Sequence, residues 1–321
     1  MKLAVLALLA VACGHSAKPT NPVAPPKPQT LAERALAVLP DGAQIVVELD
    51  LARLRANDVV GEVATRVFAD VSIDAKLRLP GVTESANEPT AAAATSSPLA
   101  HADLLVLASY GVGTPQATTL TLLATKDDIA GATRLSPELV VLGPEEWVRQ
   151  VEARAGIAAR CPMEGAAAGT CSPLQGSEEL LRMRDHAMPD AAPGAVLRVT
   201  ALLSFDARVA MARQVGIELA PARLSVWADV VDDFAMVIDA DAADPGDKTK
   251  KDAVERMRTG IRRLLAEAAA EPALRLLGVT SAINDARFVE QKTWVRAIVA
   301  IGPRQLARVV ERAKTLLPPS S

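Results

Sequence analysis

The chain reads as α+β: two degenerate ferredoxin-like α/β repeats with mainly antiparallel sheets and helices on one face. Three observations carry this. Gln44-Ile45-Val46-Val47-Glu48-Leu49-Asp50-Leu51-Ala52-Arg53 echoes residues 197–208, each an apolar strand running into an Asp and then Ala-Arg. Val141-Leu142-Gly143-Pro144 echoes Ala300-Ile301-Gly302-Pro303, each a strand followed by Gly-Pro and an amphipathic stretch. The two echoes lie 156 and 159 positions apart, and such near-equal spacing marks an internal repeat. Third, Leu224, Val226, Ala228 and Val230 alternate with polar residues up to Val231-Asp232-Asp233, and alternation resumes over Phe234–Asp239. Period two on both sides of a turn predicts a hairpin.

The first repeat is assigned to residues 31–157. Asp50 ends its first strand and supplies a side chain that can accept the orphan amide hydrogens of a following helix. Pro80 to Ala100 is rich in Ala, Ser, Thr and Pro, so residues 80–100 read as a mobile insertion. Leu104–Tyr110 and Thr118–Thr125 form a hairpin across Gly111–Pro115. At Gly143-Pro144, Gly permits a sharp turn and Pro loses no hydrogen bond at a helix start. Glu145 and Glu146 then favour the positive helix terminus.

Residues 158–192 form a connector, and residues 193–318 the second repeat. There Asp206 is matched to Asp50. Val254, Met257, Ile261, Leu264, Leu265 and Ala268 make one helical stripe, which predicts a long amphipathic helix absent from the first repeat. An extra strand is placed near Leu276–Ile283. Thr293–Ile301 reads as a buried strand and Leu306, Val309, Val310, Ala313 and Leu317 as the inner face of a closing helix. The order is β-α-β-β-α-β-α.

The N-terminus supplies an address. Met1-Lys2 precedes an apolar run, Leu3 to Ala12, and then Cys13-Gly14. Ten apolar residues are too few to span a bilayer but suit a secretion signal, here residues 1–12. The small residue before Cys13 resembles the lipobox of bacterial lipoproteins, although Ala10 stands where that family usually has Leu. The resemblance implies a cysteine that is acylated and becomes the new N-terminus, with enough acyl chains for stable anchoring. In that family Asp after the cysteine favours the inner membrane, so Gly14 implies an outer-membrane address facing the periplasm. The body resembles, in composition alone, the uncharacterised lipoproteins of high-GC Gram-negative bacteria, and carries no functional residue over. Residues 13–30 are the anchor and a tether holding Pro19, Pro22, Pro25, Pro26 and Pro28. In polyproline geometry the sixteen residues from His15 reach about 50 Å.

Composition narrows the function. The chain carries 35 basic and 38 acidic side chains, formal charge −3, which supplies no basic field for nucleic acid. Aromatics are scarce, at three Trp, one Tyr and four Phe, which argues against a glycan-stacking surface. Cys161 and Cys171 are an even pair in a Gly/Pro-containing loop, which in an oxidising compartment reads as a disulfide contributing about 3 kcal/mol.

No Gly-x-Ser-x-Gly, phosphate-loop or His-Glu-x-x-His motif occurs. Gly111-Val112-Gly113 reads as a turn. Asp239, Asp241, Asp244 and Asp247 are the best metal candidates, but they fail calcium-loop spacing and read as a solvated loop. By the same reasoning Asp229, Asp232 and Asp233 belong to a hairpin tip. His186 ends a helix and reads as a partner of its dipole. Trp147 and Trp294 read as core, whereas Trp227 fits either a buried or an exposed position. The expectation is therefore a non-enzymatic, lipid-anchored envelope protein that binds or braces, with no cofactor and no metal. Its partners are the membrane, through the lipid on Cys13, and an envelope protein. The alternatives are an envelope hydrolase with a carboxylate or metal site on the acidic hairpin of the second repeat, and a carrier holding a hydrophobic ligand between the repeats.

Overall fold

The computed structural model describes residues 30–70, 97–160, 178–218, 220–243 and 250–317. Cys13, Cys161, Cys171, Asp244, Asp247, the signal segment and most of the 80–100 insertion lie outside the described residues. Ten strands run in chain order: β1 (Ile45–Asp50), β2 (Leu104–Tyr110), β3 (Thr118–Ala124), β4 (Thr133–Ser136), β5 (Leu139–Leu142), β6 (Leu197–Leu202), β7 (Arg223–Val230), β8 (Phe234–Asp241), β9 (Arg287–Gln291) and β10 (Trp294–Ile301). They form one sheet, ordered β4-β5-β3-β2-β1-β6-β7-β8-β10-β9, and every neighbouring pair is antiparallel. The fold is thus α+β around a large antiparallel sheet.

The centre of the sheet is the β1–β6 pair, where Ile45 faces Ala201, Val47 faces Val199 and Leu49 faces Leu197. Outward from it, each side takes its first three strands in chain order and then skips one: β1-β2-β3-β5-β4 and β6-β7-β8-β10-β9. The sheet joins the two halves edge to edge through the backbone pairing of β1 with β6.

The helices are α1 (Leu31–Ala37), α2 (Leu51–Arg55), α3 (Gly61–Asp70), α4 (Glu145–Arg160), α5 (Glu178–Arg184), α6 (Phe205–Val215), α7 (Lys250–Ala270), α8 (Pro272–Leu277), α9 (Thr280–Asn284) and α10 (Pro303–Leu316). Asp50 caps α2, its side chain accepting from Arg53 N–H at 2.8 Å. Asp206 does not do the same for α6. The cap there is Ser204, accepting from Ala207 N–H at 3.3 Å, and Asp206 lies inside the first turn. A hydroxyl satisfies the orphan amide as well as a carboxylate does, so the residue matched to Asp50 stands two positions past the cap. Both Gly-Pro pairs stand at strand-to-helix turns, before α4 and α10. Their backbones differ, with φ +154° at Gly143 and −69° at Gly302.

Side chains opposite one another across the ladder share a face. On the face of Val46, the first half packs Val106, Leu122 and Val141 against Leu36 of α1 and Val148 and Val151 of α4. On the face of Val47, Leu105, Leu107 and Leu123 pack against Leu51 of α2 and Phe68 of α3. Helices therefore cover both faces, not one. All seven residues of β2 are buried, and a strand buried on both sides needs cover on both.

In the second half, α7 and α6 cover the Val47 face through Val254, Met257 and Ile261, and through Ala207 and Met211. The closing helix α10 joins that face too, packing Leu306 and Val309 with Val230 and Ile301. The segment expected to form a strand near Leu276–Ile283 is helical instead, as α8 and α9, and the edge strand follows as β9. With α10 on the far side, the Val46 face of the second half has no counterpart of α4, and the short helix α5 packs on β6 and β7 there instead. Residues 184–196 cross it.

Candidate functional site: a charged strip under the connector

Along the Val46 face the second half carries polar side chains where the first half carries Leu and Val. Register places Arg198, Thr200, Arg223, Ser225, Asp239, Asp241 and Arg296 on this face, together with Glu48 from β1. Glu48, Thr200, Ser225, Asp239 and Asp241 are all buried. A buried charge must be paired and hydrogen-bonded, and here the connector supplies much of the pairing.

Four successive residues engage the strip. Arg184 donates to both oxygens of Glu48, from Nε and Nη2, each at 2.7 Å. Asp185 accepts from Nε of Arg198 at 2.9 Å. His186 places Nδ1 2.9 Å from Oδ2 of Asp239. The Ala187 amide donates to Oγ of Ser225 at 3.1 Å. Arg296 binds the two oxygens of Asp239 at 2.7 and 2.6 Å and reaches the His186 carbonyl at 3.3 Å. Burial opposes the charge on Arg184, but the bonds and charge of Glu48, with Asp185 and Glu33, outweigh it and raise its pKa. The hydrogen bonds that Arg296 donates to Asp239 raise its own pKa.

Rings complete the strip. His186 stacks on Trp294 with centroids 4.2 Å apart. The Arg223 guanidinium lies 5.3 Å from the same ring and binds Asp241, from Nε at 2.8 Å. Trp227 is buried, its indole donating to the Gly194 carbonyl at 2.8 Å. Trp147 packs on Tyr110, centroids 4.3 Å apart, as a core position should. Beside the strip lies a shallow depression of about 440 Å³, lined in part by Glu179, Ser204, Arg223 and Asp241.

These contacts correct several placements expected from the sequence. Asp239 and Asp241 are not part of a solvated loop; they end β8, each 1 % exposed and each held by an arginine. Asp229 is not at the hairpin tip. It is buried on β7 and receives Nε and Nη2 of Arg53 at 2.8 and 2.7 Å, a bond that raises the Arg53 pKa. Polar residues alternating with apolar ones normally mark a wet face; here the connector and α2 dry it. His186 is not a dipole partner of α5, because its ring turns to the sheet.

A histidine held by an aspartate is the base half of a catalytic pair. In this strip Arg296 already binds both Asp239 oxygens, and Ser225, opposite Asp239 in register, already accepts the Ala187 amide. Among the described residues no group of three or more His, Cys, Asp and Glu side chains converges as metal ligands would. Sequence reasoning missed Glu48, Arg184, Arg198 and Arg296. The available signal was a charge inside an otherwise apolar strand, at Glu48 in β1 and Arg296 in β10.

Against known proteins, no family model and no curated protein matches the chain. Among solved structures it is similar to one described as crystal form I of TP0453, at TM-score 0.40 and 8 % identity over 87 % of this chain and 96 % of that one. A likeness of that size carries no argument about function.

Proposed function

We propose that the protein is a lipid-anchored component of the cell envelope with a non-enzymatic binding or bracing role, built from two degenerate copies of one ferredoxin-like α/β unit. The carrying observation is the state of the acids that sequence patterning offered for chemistry. Asp229, Asp239 and Asp241 are each buried against an arginine, Arg53, Arg296 and Arg223. Acid–base or metal work would require breaking a charge-assisted pair that holds strands and connector together. The duplication is supported by the matching strand order on either side of β1–β6 and by the two Gly-Pro turns.

Anchoring is supported by the apolar run ending in Ala12-Cys13-Gly14. No helix among the described residues is long and apolar enough to cross a membrane, so in this reading attachment comes from the lipid. The outer membrane is the proposed site because Gly14 follows the cysteine. The test is fractionation of cells carrying Cys13→Ala. The substitution should move the protein from the membrane fraction to the soluble one and remove the acyl mass from its N-terminal peptide. A variant that stays with the membrane as the wild type does would refute the anchor. Unreduced peptide mass spectrometry should also join Cys161 to Cys171; free, alkylatable thiols in protein taken from the envelope would refute that bond.

A further inference from the structure

Many arginines in the described chain face a carboxylate, but several do not, and three of these stand in a row on one helix. Arg304, Arg308 and Arg312 follow one another at four-residue spacing along α10, and so share one side of that helix. None of them pairs with an acidic side chain among the described residues, whereas Lys314 on the same helix takes Glu62 and Glu311. Two of the three, Arg308 and Arg312, line a concave site of about 270 Å³ between α10 and the α8–α9 corner, shared with Leu277, Gly278, Ser281, Gln305 and Val309.

The site is arranged by its neighbours. Arg312 donates to the Leu277 carbonyl at 3.3 Å. It lies where a side chain at residue 278 would be, since a Cβ there would collide with Arg312 Nη1. Gly278, at φ +77°, is favoured by its left-handed backbone, and a side chain there would displace the guanidinium above it. Gln305 donates to the Gly278 carbonyl at 3.4 Å and to Ser281 Oγ at 3.3 Å. The Ser281 hydroxyl, accepting from Gln305, keeps its own proton to donate. Arg308 is exposed and has no partner among the described residues.

We infer that this concavity is a binding site for a phosphate-type oxyanion. Two guanidiniums one helical turn apart present forked donors that match phosphate oxygens. A serine hydroxyl adds a further donor, and among the described residues no acidic side chain lines the site to oppose the charge. The volume lies below the roughly 300–1,000 Å³ of sites for drug-sized ligands, which suits a phosphate monoester rather than a larger molecule. The inference goes beyond the anchoring and bracing role and does not depend on it. The same chemistry could be presented by a soluble phosphate ester or by a lipid headgroup.

The full-length protein in non-ionic detergent is titrated calorimetrically with glycerol 1-phosphate, and in parallel with mixed micelles containing phosphatidic acid, at fixed ionic strength. One saturable site is expected. Arg308→Ala and Arg312→Ala should each weaken binding about tenfold or more by removing a charge-assisted fork. Arg308→Lys should recover only part of the loss. Arg149→Ala, an exposed arginine of α4, should change nothing. Because Arg308 is unpaired, its variants should melt as the wild type does. Binding of the free ester identifies a soluble source, and binding of the micelles alone identifies a headgroup; either supports the site. Absence of saturable binding in both arms, equal competition by chloride, or binding that survives the Arg308 and Arg312 substitutions would overturn it.

Discussion

Tyr110 is the only tyrosine in the chain, and its hydroxyl is buried, donating to the Pro40 carbonyl at 3.0 Å. Burial pushes its pKa well above the ordinary 10.0. The unfolded chain ionises near 10 and the folded one only above it, so this stabilisation is complete below pH 10 and is lost as pH rises further. Absorbance near 295 nm should show no tyrosinate before unfolding sets in. Tyr110→Phe should cost about 1–2 kcal/mol at neutral pH and remove this part of the alkaline sensitivity. Ionisation near pH 10 in the folded protein would contradict the burial.

Glu48 makes a second case at the same scale. Glu48→Ala strands Arg184, itself largely buried, and should cost about 3–5 kcal/mol in urea unfolding, whereas Glu48→Met with Arg184→Met should come close to neutral. A single substitution costing under about 1 kcal/mol would show the pair to be weak. Neither residue could be matched to its partner from sequence, because 136 positions separate them and nothing local marks which arginine answers a buried glutamate. Asp239 was legible as a candidate but not as a buried one, since its cover comes from a connector folded back across the sheet.

Among the elements, those with dense apolar patterning were legible. β1, β2, β3, β6, β7, β8 and β10, the hairpin at Val231–Asp233 and α7 stand where alternation or a helical stripe placed them. The edges were not. β4 and β9 are short, and β9 leaves Arg287, Glu290 and Gln291 exposed, so they lack the periodicity that burial imposes and carry the charges that protect an edge from stray pairing. The stretch 276–283 is apolar enough for a strand, yet Gly278 at φ +77° splits it into two short helices. Caps can be tested directly. Ser204→Ala should cost about 1 kcal/mol and Asp206→Ala only about 0.3–0.5 kcal/mol from the helix dipole, both by thermal melts. The reverse order would restore Asp206 as the cap. Gly143→Ala should destabilise more than either, about 1–3 kcal/mol, because φ is +154° there and the new Cβ would sit 2.5 Å from Leu120 Cδ2.

At the scale of the whole molecule, the two echoing junctions could be read in the sequence, but the way the halves meet could not. Backbone pairing of β1 with β6 is only the first link. The α2–α3 corner reaches over to the second half, where Asn57 donates to the carbonyls of Val230 and Val231 at 3.1 and 2.8 Å. Leu54, Val59 and Val60 pack with Val279, Ile301 and Leu306. Arg53 pairs with Asp229, and Lys314 of α10 with Glu62 of α3 at 2.8 Å. Such links predict that the two halves unfold as one cooperative body. The tryptophans are placed to test it, Trp147 in the first half and Trp227 and Trp294 in the second. Urea unfolding is followed by fluorescence in Trp147→Phe, which reports the second half, and in the Trp227→Phe, Trp294→Phe double variant, which reports the first. Each is compared with its own far-ultraviolet dichroism. The joined sheet predicts one transition per variant, with fluorescence and dichroism coincident in both. Fluorescence that departs from dichroism, with one half melting while the other stays folded, would contradict it.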